Sequence, residues 1–122
     1  MTAIERLLVS IVDDDESVRE SLPYLLRSFG FEAEPFGSAE AFLASGRLAD
    51  TGCLVLDVAM PGMTGVELAE AVRGRSPGLP VLILTGHAEA IPIPDDLPVL
   101  AKPFESAELA AKVSGLIGGN AA

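Results

Sequence analysis

The chain has 122 residues, a length that suits one domain and allows a real hydrophobic core. Apolar residues make up 49% and charged residues 21%, which excludes a disordered chain. A net charge of -10 with 8 Lys+Arg argues against a nucleic-acid footprint, which needs clustered cations, and reads as a solubilising surface.

Strand and helix signals alternate from end to end. Residues 7–12, Leu-Leu-Val-Ser-Ile-Val, read as a strand buried on both faces. Val18, Leu22, Leu25, Leu26 and Phe29 then fall at helical spacing and form one apolar stripe, with Gly30 as the helix stop. Pro23 lies inside that helix, where it removes a backbone donor and crowds the carbonyl of Arg19, so a kink or local break is expected. Phe31 to Phe36 reads as a second strand, and Ser38 can cap a short helix over Ala39–Ala44. Arg47 to Gly52 is a polar connection with a turn, and residues 53–57 form a third strand. Cys53, the only cysteine, lies in that strand and reads as a small core residue; no intrachain disulfide can form.

Met60-Pro61-Gly62-Met63-Thr64-Gly65 is a tight loop. Thr64 and Glu67 have capping-box spacing for a helix that turns Val66, Ala69 and Val72 inward. Ser76-Pro77-Gly78 breaks the chain before a fourth strand, Pro80 to Leu84, which ends at Thr85-Gly86. A fifth strand, Leu97 to Ala101, leads directly into Lys102-Pro103. Ser106 can cap a last helix with Leu109, Val113, Leu116 and Ile117 on its stripe, ended by Gly118-Gly119-Asn120. Residues 86–98 break the rhythm. Pro92, Pro94 and Pro98 leave little room for a regular helix, so the fourth crossover helix should be missing or reduced to a turn.

The repeated strand-then-helix order predicts an α/β fold: a parallel sheet with helices on both faces, in one domain over residues 1–122 with no output domain. No apolar stretch reaches the roughly 18 residues needed to span a bilayer. The start, Met-Thr-Ala-Ile-Glu-Arg, lacks a signal-peptide pattern, so a cytoplasmic location without membrane contact is expected.

Parallel strands would bring five groups to one sheet edge: Asp13 and Asp14 after the first strand, Asp57 after the third, Thr85 after the fourth and Lys102 after the fifth. Each type has a task in handling a phosphoryl group. A carboxylate can attack phosphorus, neighbouring carboxylates can hold magnesium, a hydroxyl can donate to a phosphoryl oxygen, and an ammonium can face the anion. Such transfer needs positioning and electrostatics more than covalent help from the protein.

Val12-Asp13-Asp14-Asp15-Glu16-Ser17-Val18-Arg19, Leu56-Asp57-Val58-Ala59-Met60-Pro61-Gly62-Met63-Thr64-Gly65, Ile83-Leu84-Thr85-Gly86-His87 and Lys102-Pro103-Phe104 stand in that order along the chain. Together they make the chain resemble the receiver domain of bacterial two-component response regulators, over nearly its whole length. The resemblance implies a flavodoxin-like, doubly wound five-stranded sheet in the order 2-1-3-4-5. It implies that Asp57 accepts a phosphoryl group from a histidine kinase or histidine phosphotransfer protein, and that Thr85 and Lys102 hold that group. Asp13 and Asp14 would organise Mg2+ (or Mn2+), with Asp14 and Asp57 as direct ligands and the Ala59 carbonyl as a third. Such a domain signals to a downstream protein partner and is not an enzyme in its own right; a weak homodimer is compatible with it.

Each residue also has an ordinary reading. Asp14 or Asp15 can cap the first helix, Asp15 and Glu16 read as solvated first-turn charges, and His87 reads as a loop residue. Thr85 at a strand end and Lys102 before a proline are unremarkable singly; the full set carries the functional reading. Two departures fall on the face that commonly passes the signal on. The position three before the lysine, often a large aromatic switch in the family, is Val99, and the segment between Thr85 and Lys102 is short and proline-rich. A competing reading is therefore a pseudo-receiver, a binding module that signals without phosphate. An aspartate-nucleophile phosphatase or mutase is disfavoured, because such enzymes carry a second acid two residues after the nucleophile, where Ala59 stands.

Overall fold

Five strands form among the described residues: β1 (Leu8–Val12), β2 (Glu32–Phe36), β3 (Cys53–Asp57), β4 (Val81–Thr85) and β5 (Val99–Ala101). The computed structural model describes residues 8–86 and 91–121, with side chains described as far as residue 117. All strand pairs are parallel, in the order β2-β1-β3-β4-β5. The flavodoxin-like order is therefore the one observed. The helices are α1 (Glu16–Ser28), α2 (Ala39–Ser45), α3 (Gly65–Arg75) and α4 (Ser106–Ala121), with a single 3-10 turn at Leu48–Asp50 where a polar turn was expected.

Every residue of β1 and β3 is buried, which is why these strands are continuous apolar runs without alternation. One side chain set of the sheet, with Val12, Leu54, Leu56 and Ile83, packs with Phe42 of α2 and Leu68 and Val72 of α3. The other, with Val9, Ile11, Val55, Leu82 and Leu84, packs with Leu22 and Leu26 of α1 and Leu109 and Val113 of α4. Each such fully buried Leu or Ile contributes about 1.5–3 kcal/mol relative to exposure.

Local chemistry sets most helix ends. Asp15 caps α1, Ser38 caps α2, and Thr64 and Glu67 form a reciprocal capping box on α3. At the end of α1, Gly30 at φ +98° lets the Gly30 and Phe31 N–H groups reach the Arg27 and Leu26 carbonyls, a Schellman closure.

Several expectations need correction. Of the kink or local break expected at Pro23, the break is absent: α1 runs through Pro23, which is buried against the core side of the helix. Phe29, placed on the inward stripe, is the C-cap residue and is 49% exposed, because the chain has already left helical geometry there. In α3 the buried positions are Gly65, Leu68, Ala69 and Val72, while Val66 only borders the core. Ser106 is the first helical residue of α4 and not its cap: the Glu105 carbonyl accepts the Glu108 and Leu109 N–H groups, and the Glu108 carboxylate accepts the Glu105 N–H. α4 continues past Gly118 to Ala121, since glycine lowers helix propensity without forbidding the helix.

No helix lies between β4 and β5 among the described residues, as the prolines predicted. Ile91, Ile93 and Leu97 pack on the sheet in its place, and Arg73 of α3 pairs with Asp96 at 3.0 Å. His87 lies outside the described residues. Among those described, no helix is long and apolar enough to cross a membrane.

Candidate functional site

Parallel pairing carries the ladder just past the strand ends. The Asp13 N–H donates to the Phe36 carbonyl at 3.1 Å, the Val58 N–H to the Leu84 carbonyl at 3.0 Å, and the Lys102 N–H to the Thr85 carbonyl at 2.7 Å. These bonds tie β1, β3 and β5 to their neighbours at one edge, where the predicted residues stand. Asp13 and Asp57 are buried and Asp14 is exposed. Ligand oxygens of the three carboxylates lie within 4.8 Å of one another. Lys102 Nζ donates to Asp57 Oδ1 at 2.9 Å and stands 3.7 Å from Asp13 Oδ2. Thr85 ends β4 half-buried beside β5, and Ala59 lies half-buried two residues past Asp57.

Asp13 feels the crowding most. Its Oδ1 accepts the Asp15 N–H at 2.9 Å, but Oδ2 is buried without a hydrogen-bond partner. Burial raises its pKa above the ordinary value of 3.8; the Asp57 and Asp14 charges add to this, while the Asp15 N–H and Lys102 oppose it. The Lys102 ammonium meets two of the three carboxylates, Asp57 and Asp13, and a buried Asp13 oxygen lacks a hydrogen-bond partner. This all-oxygen set fits a hard divalent cation, which would satisfy that oxygen and offset the repulsion. Asp15 takes no part in the cluster. Its Oδ1 accepts the Ser17 N–H at 2.9 Å and hydroxyl at 2.8 Å, which lowers its pKa and makes it the cap of α1.

The loop after Asp57 is fixed from several sides. The Gly65 N–H donates to the Val58 carbonyl at 3.1 Å, and the Glu40 carboxylate of α2 accepts the Met63 N–H at 3.2 Å. α3 begins so close to the strand that a Cβ on Gly65 would lie 2.3 Å from the Asp57 carbonyl oxygen. In the sequence Gly65 reads only as a turn residue; its place directly after the capping Thr64 is the available signal. Arg19 carries no site role on its sequence alone, yet its Nη1 donates to the Asp13 carbonyl at 3.1 Å.

Two other predictions are placed by the structure. Val99 is 37% exposed on β5. Cys53 is buried, and burial pushes its thiol pKa up to about 12, the behaviour of a core residue.

Comparison with known proteins agrees with this geometry. A family model described as the response regulator receiver domain matches residues 9–114. The chain is 39% identical to the transcriptional regulatory protein FixJ of Azorhizobium caulinodans, covering 96% of this chain and 58% of that one. Among solved structures it is similar to response regulator StyR (43% identity, TM-score 0.83, 93% of this chain and 60% of that one) and to FixJ-N (33% identity, TM-score 0.79, 94% and 96%). It spans between 42% and 58% of the length of the first curated relatives it matches. Nothing in these likenesses favours the phosphate-independent reading. With the sheet order, the acid cluster and the Lys102 contact in place, the chain belongs to the response regulator receiver domain family.

Proposed function

We propose that this chain is a phosphoacceptor of a two-component relay, in which Asp57 takes a phosphoryl group from a partner's histidine and the domain then signals by protein contact. The observation that carries this reading is the convergence on Asp57 of two further carboxylates and the Lys102 ammonium. An Asp57 carboxylate oxygen attacks phosphorus as the phosphorus–nitrogen bond to the donor imidazole breaks, and the leaving nitrogen keeps the electron pair. Asp13, Asp14, Asp57 and the Ala59 carbonyl would hold Mg2+ or Mn2+, which when bound offsets charge on the transferring group. Lys102, already at Asp57 Oδ1, supplies the fixed cation opposite the new phosphoryl oxygens, and the Thr85 hydroxyl donates to one of them. A histidine kinase or histidine phosphotransfer protein is the donor, and a downstream protein is the receiver of the signal.

The test is intact mass after incubation with a small phosphodonor and Mg2+. One added phosphoryl mass is expected in the wild type, and none without metal or in Asp57→Asn. Equal uptake by Asp57→Asn would sink the assignment.

A further inference from the structure

We infer that Arg19 is a positioning residue for the divalent-cation site, holding the peptide that joins Asp13 to Asp14; the inference rests on the functional reading above. Arg19 is half-buried on α1, and its Nη1 donates to the Asp13 carbonyl at 3.1 Å. That carbonyl belongs to the peptide between the two acids, so the bond fixes the plane from which both side chains leave. The Asp13 N–H is held separately by the Phe36 carbonyl at 3.1 Å. Asp13 is thus gripped at both of its main-chain polar groups.

The guanidinium is itself supported. It lies against Gly37, where a Cβ would meet Arg19 Nη1, Cζ and Nε at 3.5, 3.6 and 3.8 Å. That is contact distance for one carbon, and a branched side chain would push into the guanidinium. Gly37 directly follows Phe36, whose carbonyl holds Asp13. The turn after β2 therefore braces the acid loop twice, once by hydrogen bond and once through Arg19.

Charge and position have opposite effects on metal affinity here. A cation beside the carboxylates repels an incoming Mg2+, so removing it should tighten binding if charge alone matters. Removing an orienting bond loosens the site, by on the order of 10-fold for partners that orient metal ligands. The proposal commits to the second sign.

The experiment is calorimetric titration of the whole chain with Mg2+ alone, for wild type, Arg19→Ala, Arg19→Lys and Gly37→Val, with thermal melts to verify folding. Arg19→Ala should weaken Mg2+ binding on the order of 10-fold. Arg19→Lys, which keeps the charge and one donor, should recover part of the loss, and Gly37→Val should weaken binding with the arginine still present. Folded Arg19→Ala that binds Mg2+ as tightly as wild type, or more tightly, overturns the inference. If Arg19→Ala does not fold, unchanged affinity in Gly37→Val overturns it instead. Wild type that neither binds Mg2+ nor takes up phosphate overturns the functional reading, and this inference with it.

Discussion

Replacing Gly65 by alanine adds one carbon where the structure has no space for it. The new Cβ would lie 2.3 Å from the Asp57 carbonyl oxygen, 3.0 Å from its carbon and 3.1 Å from Val58 Cα. All three are backbone atoms of the strand end, so no side chain can turn away. Ordinary contact begins at 3.4 Å, so α3 and the end of β3 must separate by about 1 Å. Overpacking of this kind costs about 1–3 kcal/mol, and a backbone–backbone clash belongs at the upper end. For a domain of this size that lowers the melting temperature by about 10 °C. The functional loss should be larger than the stability loss suggests, because Asp57 is displaced directly. A misplacement of about 1 Å at a reacting group costs on the order of 10²-fold in rate. Urea unfolding and the rate of phosphate uptake, measured by mass at saturating Mg2+, test both effects. A Gly65→Ala protein within about 0.5 kcal/mol of wild type that takes up phosphate at the same rate would refute the reasoning, since that margin is ordinary for a harmless surface change.

Asp13 should make stability depend on pH. Its raised pKa means that the folded chain binds this proton more readily than the unfolded one. The resulting stability is fully present below 3.8 and is lost as pH rises through the folded value. Metal-free Asp13→Asn, neutral throughout, should therefore melt above wild type at pH 7, with the gain shrinking as pH falls towards 3.8; melting curves that stay parallel across that range would contradict this. Cys53, buried with its thiol pKa pushed up to about 12, should resist thiol reagents in the native protein and react only at the rate of unfolding. Fast labelling under native conditions would show that β3 is more open than described.

Much of the architecture was legible because burial dictates it. β1 and β3 are covered on both faces, so their Val, Ile and Leu runs announce central strands, and the acids that follow them mark the sheet edge. Capping was legible where a short polar side chain stands alone before an apolar stripe, as at Ser38 and Thr64. It misled at Ser106, where Glu105 and Glu108 supply the same bonds one residue earlier. Pro23 shows the limit of local rules: the lost donor is readable, whereas the burial of the residue belongs to the tertiary structure. The acids and the lysine that meet at the sheet edge could be read as candidates from the motifs. The 2.3 Å approach at Gly65 and the grip of Arg19 on the Asp13 carbonyl could not, because both depend on how helices meet loops that are distant or turned back on themselves.

The three-residue strand β5 pairs with β4 alone among the described residues, and no helix joins the two there. Its last main-chain bond, Lys102 N–H to the Thr85 carbonyl, also carries the ammonium that reaches Asp57. Edge segments with few buried contacts open at free energies well below that of global unfolding. Opening of β5 ahead of the central strands would remove this countercharge from the acid cluster while β1 and β3, and the carboxylates they carry, stay in place. Amide exchange at Lys102 would then report the same event as the loss of its ion pair, and the electrostatic state of the site would be tied to a local folding equilibrium at the sheet margin.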